Sequence, residues 1–136
     1  MKRRLALAIF IASVMSACVE PTTVDGVVLQ GTAWRALSIA GMSPVLGHEP
    51  TLAFQGTGVR GSGGCNDYGG ANAQIDGNAI KITNIGMQSN FCEPRESPLM
   101  RAEQRFFLAL AAATEIHVVD GQLELTTPMG ALTLSG

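Results

Sequence analysis

Charge and aromatic side chains are scarce in this chain: Asp, Glu, Lys and Arg make up 15% and Phe, Trp and Tyr 5% of its 136 residues. Scarce charge beside abundant Val, Ile and Leu excludes a disordered polypeptide. No apolar run reaches the roughly 20 residues that a membrane-spanning helix needs. An excess of basic residues is also missing: outside Lys2, Arg3 and Arg4, six Lys and Arg face 11 Asp and Glu, a balance of −5 from residue 18 onward. Attraction to nucleic acid by charge is therefore not expected. The two histidines, His48 and His117, stand at no metal-ligand spacing, and no CxxC occurs, so neither a metal nor a cofactor is expected. No serine lies in GxSxG, and neither histidine has an evident acidic orienter, so no catalytic residues are assigned and an enzyme is not expected. The length allows one small domain, expected to be monomeric.

What is present first is an address. Lys2, Arg3 and Arg4 precede an apolar stretch from Leu5 to Met15 that is broken only by Ser13, the pattern of an export signal. The stretch closes on Met15, Ser16, Ala17 and Cys18, which resembles the bacterial lipobox except that Met15 stands where Leu is usual. That resemblance implies cleavage after Ala17 and acyl chains on the Cys18 thiol; the alternative is ordinary secretory cleavage with Cys18 incidental. Several acyl chains on one cysteine anchor a protein almost irreversibly. Val19 follows the cysteine rather than the Asp of inner-membrane retention, so the expected location is the outer membrane of a two-membrane bacterium, with the domain facing the periplasm. The segment from Val19 to Gln30 shows no sustained period and reads as a tether of about 12 residues spanning on the order of 20 Å, unless Val27 to Leu29 adds a strand. The expected organisation is signal peptide 1–17, lipidated cysteine and tether 18–30, folded domain 31–136.

Export sets the redox compartment. With Cys18 assigned to lipid, Cys65 and Cys92 form a pair expected to be a disulfide rather than a reactive or metal-binding thiol site. Closing a loop of roughly 28 residues contributes about 3.5 kcal/mol on the chain-entropy model.

Period-two patterning predicts strands at Thr51–Phe54 and Ala79–Ile85, and a closing meander of Ile116–Val119, Gln122–Thr126 and Ala131–Ser135, with Asp120-Gly121 as a type I′ hairpin turn. Trp34–Ile39 is a first strand whose apolar residues Trp34, Leu37 and Ile39 break period two, which implies a bulge or short turn. Ser97 and Pro98 open a helix running to about Ala113, with Leu99, Ala102, Phe106, Phe107, Leu110 and Ala113 on one face. The fold class is mainly β (α+β): a small antiparallel lipocalin-like barrel or strongly curled sheet with one packed helix.

Glu103 projects about 20° from Leu110, into the apolar stripe. It either sits at the rim or accepts hydrogen bonds from the glycine-rich backbone and so ties helix to loop. In that glycine-rich segment Gly56, Gly58 and Gly61 spell GxGxxG, yet SGGCNDYGGA follows and cannot sustain the helix that a dinucleotide site requires. The segment reads instead as a tight turn at 56–58, then positions near Gly61 to Gly64 that need positive φ or close backbone approach.

The run GCNDYGG from Gly64, followed by a strand, a turn, the isoleucine strand and MQSNFC at Met87 to Cys92, resembles the META domain of HslJ-like proteins. Trp34, Pro50 to Phe54, Glu103 with Phe106 and Leu110, and Gly121 to Leu125 fall into the same register, and Asn90 and Phe91 depart from it by standing between Ser89 and Cys92. The resemblance covers roughly residues 31 to 136. It implies a lipocalin-like barrel with one helix, often on exported lipoproteins, no catalytic residues, and a role in stress or in tolerance of noxious compounds. The resulting expectation is an envelope stress or interaction module contacting an unidentified envelope protein or component through exposed loops such as Gly61 to Gly70. The residues proposed to recognise it are Asn66, Asp67 and Tyr68, which alternatively only hold the turn. A module taking a small apolar compound in the barrel mouth, or inhibiting a periplasmic enzyme, is the alternative. Phe54, Phe91, Phe106, Phe107 and Trp34 are expected to fill the interior.

Overall fold

The computed structural model describes residues 8–13 and 20–136; the expected cleavage site and lipidated Cys18 lie outside the described residues. In chain order the elements are β1 (Thr23–Val24), β2 (Val27–Val28), β3 (Ala33–Ile39), β4 (Thr51–Gln55), β5 (Gly58–Ser62), β6 (Asp67–Asp76), β7 (Ala79–Thr83), β8 (Gly86–Met87), α1 (Pro98–Ala112), β9 (Glu115–Val119), β10 (Gln122–Thr127) and β11 (Gly130–Ser135). Eight strands run β5-β4-β3-β11-β10-β9-β7-β6, and β6 pairs with β5 to close an antiparallel barrel. β8 adds a short fragment to β6. Closure removes the exposed sheet edges that would otherwise invite association.

Local chemistry sets these elements. Asp120 (φ 51°) and Gly121 (φ 74°) occupy the left-handed region that a two-residue type I′ link demands, and β9 pairs with β10 directly across them. In β3 the register slips between Ser38↔Thr133 and Ala36↔Leu134, leaving Leu37 as the extra residue; the broken period of Trp34, Leu37 and Ile39 is this bulge. Ser97 caps α1 by accepting from the Met100 N–H at 3.2 Å, and Pro98 stands in the first turn.

Alternate residues of the barrel strands point inward, and Leu52, Ile116, Leu123, Leu125, Leu132 and Leu134 are fully buried. Helix α1 packs on β3, β7 and β10. Because β3 and β7 stand four strands apart in the ring, an element touching both lies across one end of the barrel. Phe106, Phe107 and Leu110 thereby join the core. Phe91 does not: it is 84% exposed, because the segment that carries it runs over the surface beside the helix.

Part of the expected tether is a hairpin. Thr23↔Val28 and Val24↔Val27 pair as a hairpin, and Val24 and Leu29 are buried against the barrel. Asp25-Gly26, with φ of 49° and 81°, is a second Asp-Gly turn, and its flanking Thr-Val and Val-Val pairs are the signal that marks it in the sequence. This hairpin serves a seam. β7 and β9 pair only at Ala79↔Glu115; past that point Asp25 Oδ2 accepts from the Val118 N–H (2.9 Å), standing in for the missing neighbour of β9.

The segment expected as a loop from Gly61 to Gly70 is largely strand: β5 takes Gly61 and Ser62, and β6 begins at Asp67. Close approach is what the glycines supply there. A Cβ on Gly61 would fall onto the Thr51 carbonyl oxygen, and one on Gly63 would come within 2.7 Å of the Phe107 ring. Among the described residues no helix is long and apolar enough to cross a membrane.

Candidate functional site

The residues singled out in the sequence converge where the β5–β6 connection meets the helix. Glu103 is 4% exposed, and its position in the apolar stripe directs it at that connection. Its Oε2 accepts from the backbone N–H groups of Cys65 and Asn66, both at 2.7 Å, and its Oε1 accepts from Asn66 Nδ2 at 2.7 Å. Three donors on two oxygens are the pattern of an ionised carboxylate held by charge-assisted hydrogen bonds, which makes burial tolerable. The carboxylate ties helix to connection rather than sitting at a rim.

Asn66 extends the tie to a third segment. Its Oδ1 accepts from the Asn90 N–H at 2.6 Å, and its Nδ2 also lies 3.4 Å from the Asn90 carbonyl. The Cys65–Cys92 disulfide joins the same two segments covalently, with Cα atoms 6.1 Å apart. Residue 90, one of the two that depart from the META pattern, is thus clasped by the GCN motif, while Phe91 next to it faces solvent.

The proposed recognition triplet is divided by strand geometry. Asn66 and Tyr68 are 5% and 4% exposed and only Asp67 faces outward, because successive residues entering β6 alternate sides. Tyr68 therefore turns into the core, and the Asn66 side chain is engaged by Glu103 and Asn90. Tyr68 donates its hydroxyl to the Thr51 carbonyl at 2.7 Å and packs against Phe106 and Phe107 at ring-centroid distances of 5.8 and 5.5 Å. Burial raises its phenol well above the usual tyrosine range.

What the sequence did not reveal is a groove of about 630 Å³ between α1 and the segment from Ile85 to Asn90. Ile85, Met87, Met100, Phe107, Leu108 and Ala111 supply apolar wall, and Asn66, Gln88, Asn90, Gln104 and Glu103 supply polar wall. Met87 and Leu108 are half exposed there. The sequence signal for it was the MQSNFC run, whose place beside the helix depends on the disulfide and on Asn66. The interior, by contrast, is occupied by core side chains, and a second cavity of about 430 Å³ lies away from the helix, lined by Leu29, Phe54, Gly56, Ala73 and Ile75 among others.

The histidines lie outside this site. His48 belongs to the loop before β4. His117 stands on β9 with Nδ1 3.5 Å from Asp25 Oδ2 and Nε2 3.5 Å from Glu115 Oε2. The Val118 N–H holds the Asp25 carboxyl below its ordinary range, helped by the Asn78 amide and by His117. No group of three or more His, Cys, Asp or Glu side chains is placed to hold a metal among the described residues.

No curated protein matches the chain. Two solved structures share its fold. One is an NMR structure with TM-score 0.62 and 20% identity, covering 79% of this chain and 90% of its own. The other is an NMR structure of a protein from Burkholderia xenovorans, with TM-score 0.60 and 20% identity over 79% of this chain and 82% of its own. The META domain model matches residues 27–135, starting inside the N-terminal hairpin and ending in the last strand. With that match spanning most of its length, the chain belongs to the META domain family.

Proposed function

We propose that this protein is a non-catalytic lipoprotein of the outer membrane, anchored through Cys18 with its META domain facing the periplasm, that serves as an envelope stress or interaction module. It engages an envelope component at the groove between α1 and residues 85–90. The observation that carries this reading is the position of Met87 and Leu108, two large apolar side chains half exposed in the wall of one concave surface, with the exposed Phe91 next in the chain to Asn90, which lines it. Apolar side chains gathered on the surface mark interaction sites, whereas singly scattered ones need no explanation. The leader and lipobox-like Cys18 support the location, and the short span between Cys18 and the hairpin keeps the domain close to the membrane.

Two measurements in native cells test it. Membrane fractionation of the wild type and of Cys18→Ala is expected to find the first in the outer membrane and the second released; equal distribution overturns the anchor. A photo-crosslinking residue at position 91 is expected to capture a partner that is lost on Leu108→Asp and kept on Asp67→Ala, with both variants melting near the wild type. Capture that ignores Leu108 and depends on Asp67 overturns the groove.

A further inference from the structure

Glu103 is the one buried charged side chain among the described residues. Buried charges are ordinarily paired with an opposite charge. The described ion pairs both involve His117, so Glu103 has hydrogen-bond donors but no cation within pairing distance. Its three donors satisfy lone pairs and leave the charge of −1 in place. Glu103 is also part of the groove wall, among Met87, Met100, Phe107 and Leu108. Arg95 also lines the groove, but it is exposed, where water screens its charge, and it is flanked in the chain by exposed Glu93 and Glu96. From residue 18 onward the protein carries a balance of −5.

We infer that the groove takes a small apolar cation, an amine or quaternary ammonium on a hydrophobic body, whose positive end supplies the charge that Glu103 lacks. The inference rests on the groove being the binding surface. Its sign follows from the carboxylate: in a low-dielectric wall the attraction is less screened than in water, and a concave surface focuses it. The Phe107 ring adds a cation–π partner, and the two methionines adapt to the shape of the apolar body. A groove of about 630 Å³ falls within the usual range of small-ligand sites.

The test uses the full lipidated chain in bilayer nanodiscs, with methionine methyl groups labelled for NMR. Met87 and Met100 report the groove, and Met42 and Met129, packed against the core, report elsewhere. The probes are 4-phenylbutyltrimethylammonium, 4-phenylbutylsulfonate and 4-phenylbutanol. The expected result is that the cation moves Met87 and Met100 alone and binds about tenfold more tightly than the sulfonate, a difference of about 1.4 kcal/mol. Glu103→Gln is expected to erase most of that preference. Should that variant fail to fold, Ala111→Trp, at an exposed position on the groove wall, is expected to block the cation while the core signals stay in place. Equal or tighter binding of the sulfonate overturns the inference, as does a cation that leaves Met87 and Met100 unmoved. If all three probes bind in the groove with equal affinity, the charge argument fails and the binding surface stands. If none binds there, the inference fails, and crosslinking at position 91 decides the surface separately.

Discussion

Two carboxylates do the same job in this protein in opposite surroundings. Glu103 holds the β5–β6 connection to the helix, and Asp25 holds the N-terminal hairpin to β9; each accepts backbone N–H groups from a segment far away in sequence. Glu103 is 4% exposed and accepts three bonds at 2.7 Å, whereas the Asp25 side chain is 34% exposed and its bonds from Val118 and Asn78 are 2.9 and 3.1 Å. Burial decides what each tie is worth. Removing the buried acceptor strands donors that water cannot reach, while water replaces the exposed one.

The contrast breaks most sharply at Glu103. Glu103→Leu leaves the Cys65 and Asn66 N–H groups and the Asn66 amide without their acceptor, and is expected to cost about 3–5 kcal/mol in thermal or urea unfolding. An unchanged or raised Tm would show that the helix end does not depend on this carboxylate. Next comes the covalent tie across the same junction. Replacing Cys65 and Cys92 together by Ala is expected to remove about 3.5 kcal/mol, and hydrogen exchange should quicken first at residues 88–92. Uniform exchange across the barrel instead would mean that the disulfide does not hold the groove wall in particular.

A smaller effect sharpens how tightly this end is packed. Gly61→Ala presses a methyl group onto the Thr51 carbonyl and forces β4 and β5 apart, for an expected loss of about 1–3 kcal/mol; a neutral result would mean that the strands yield freely. The smallest change is expected at the hairpin end and appears with pH. The Asp25 carboxyl lies below its ordinary value, so its contribution is complete above the unfolded pKa of about 3.9 and is lost as pH falls through the lower folded value. The Val118 amide resonance should follow that titration below pH 4 and lose it in Asp25→Asn. A midpoint at or above pH 4 would remove the tie.

The same contrast explains which parts were readable beforehand. The meander and the helix were legible because Asp120-Gly121, Ser97-Pro98 and the period of Leu99, Ala102, Phe106 and Leu110 are local signals. The N-terminal hairpin carried an equally local Asp-Gly signal but looked like a linker, since its four paired residues bury almost nothing without the β7–β9 seam to cover. Glu103 announced itself as a charge in an apolar stripe. Its partners did not, because the Cys65 and Asn66 amides come to it from 38 and 37 positions away. Asn66 and Tyr68 read as surface residues because Asn, Asp and glycine around them suggest a loop, while the alternation of β6 turns both inward.

The sequence by itself determined the strand periods, the helix and its N-cap, the turn chemistry and the leader pattern, since each depends on residues within a few positions of one another, and the family likeness, which is carried by the order of such local motifs along the chain. Only the tertiary structure decided that β6 closes on β5, that Asn66 clasps Asn90, and that Glu103 lines a groove without a counter-ion. Those facts are distances between segments remote in the chain, and closing the barrel is what brings the segments together.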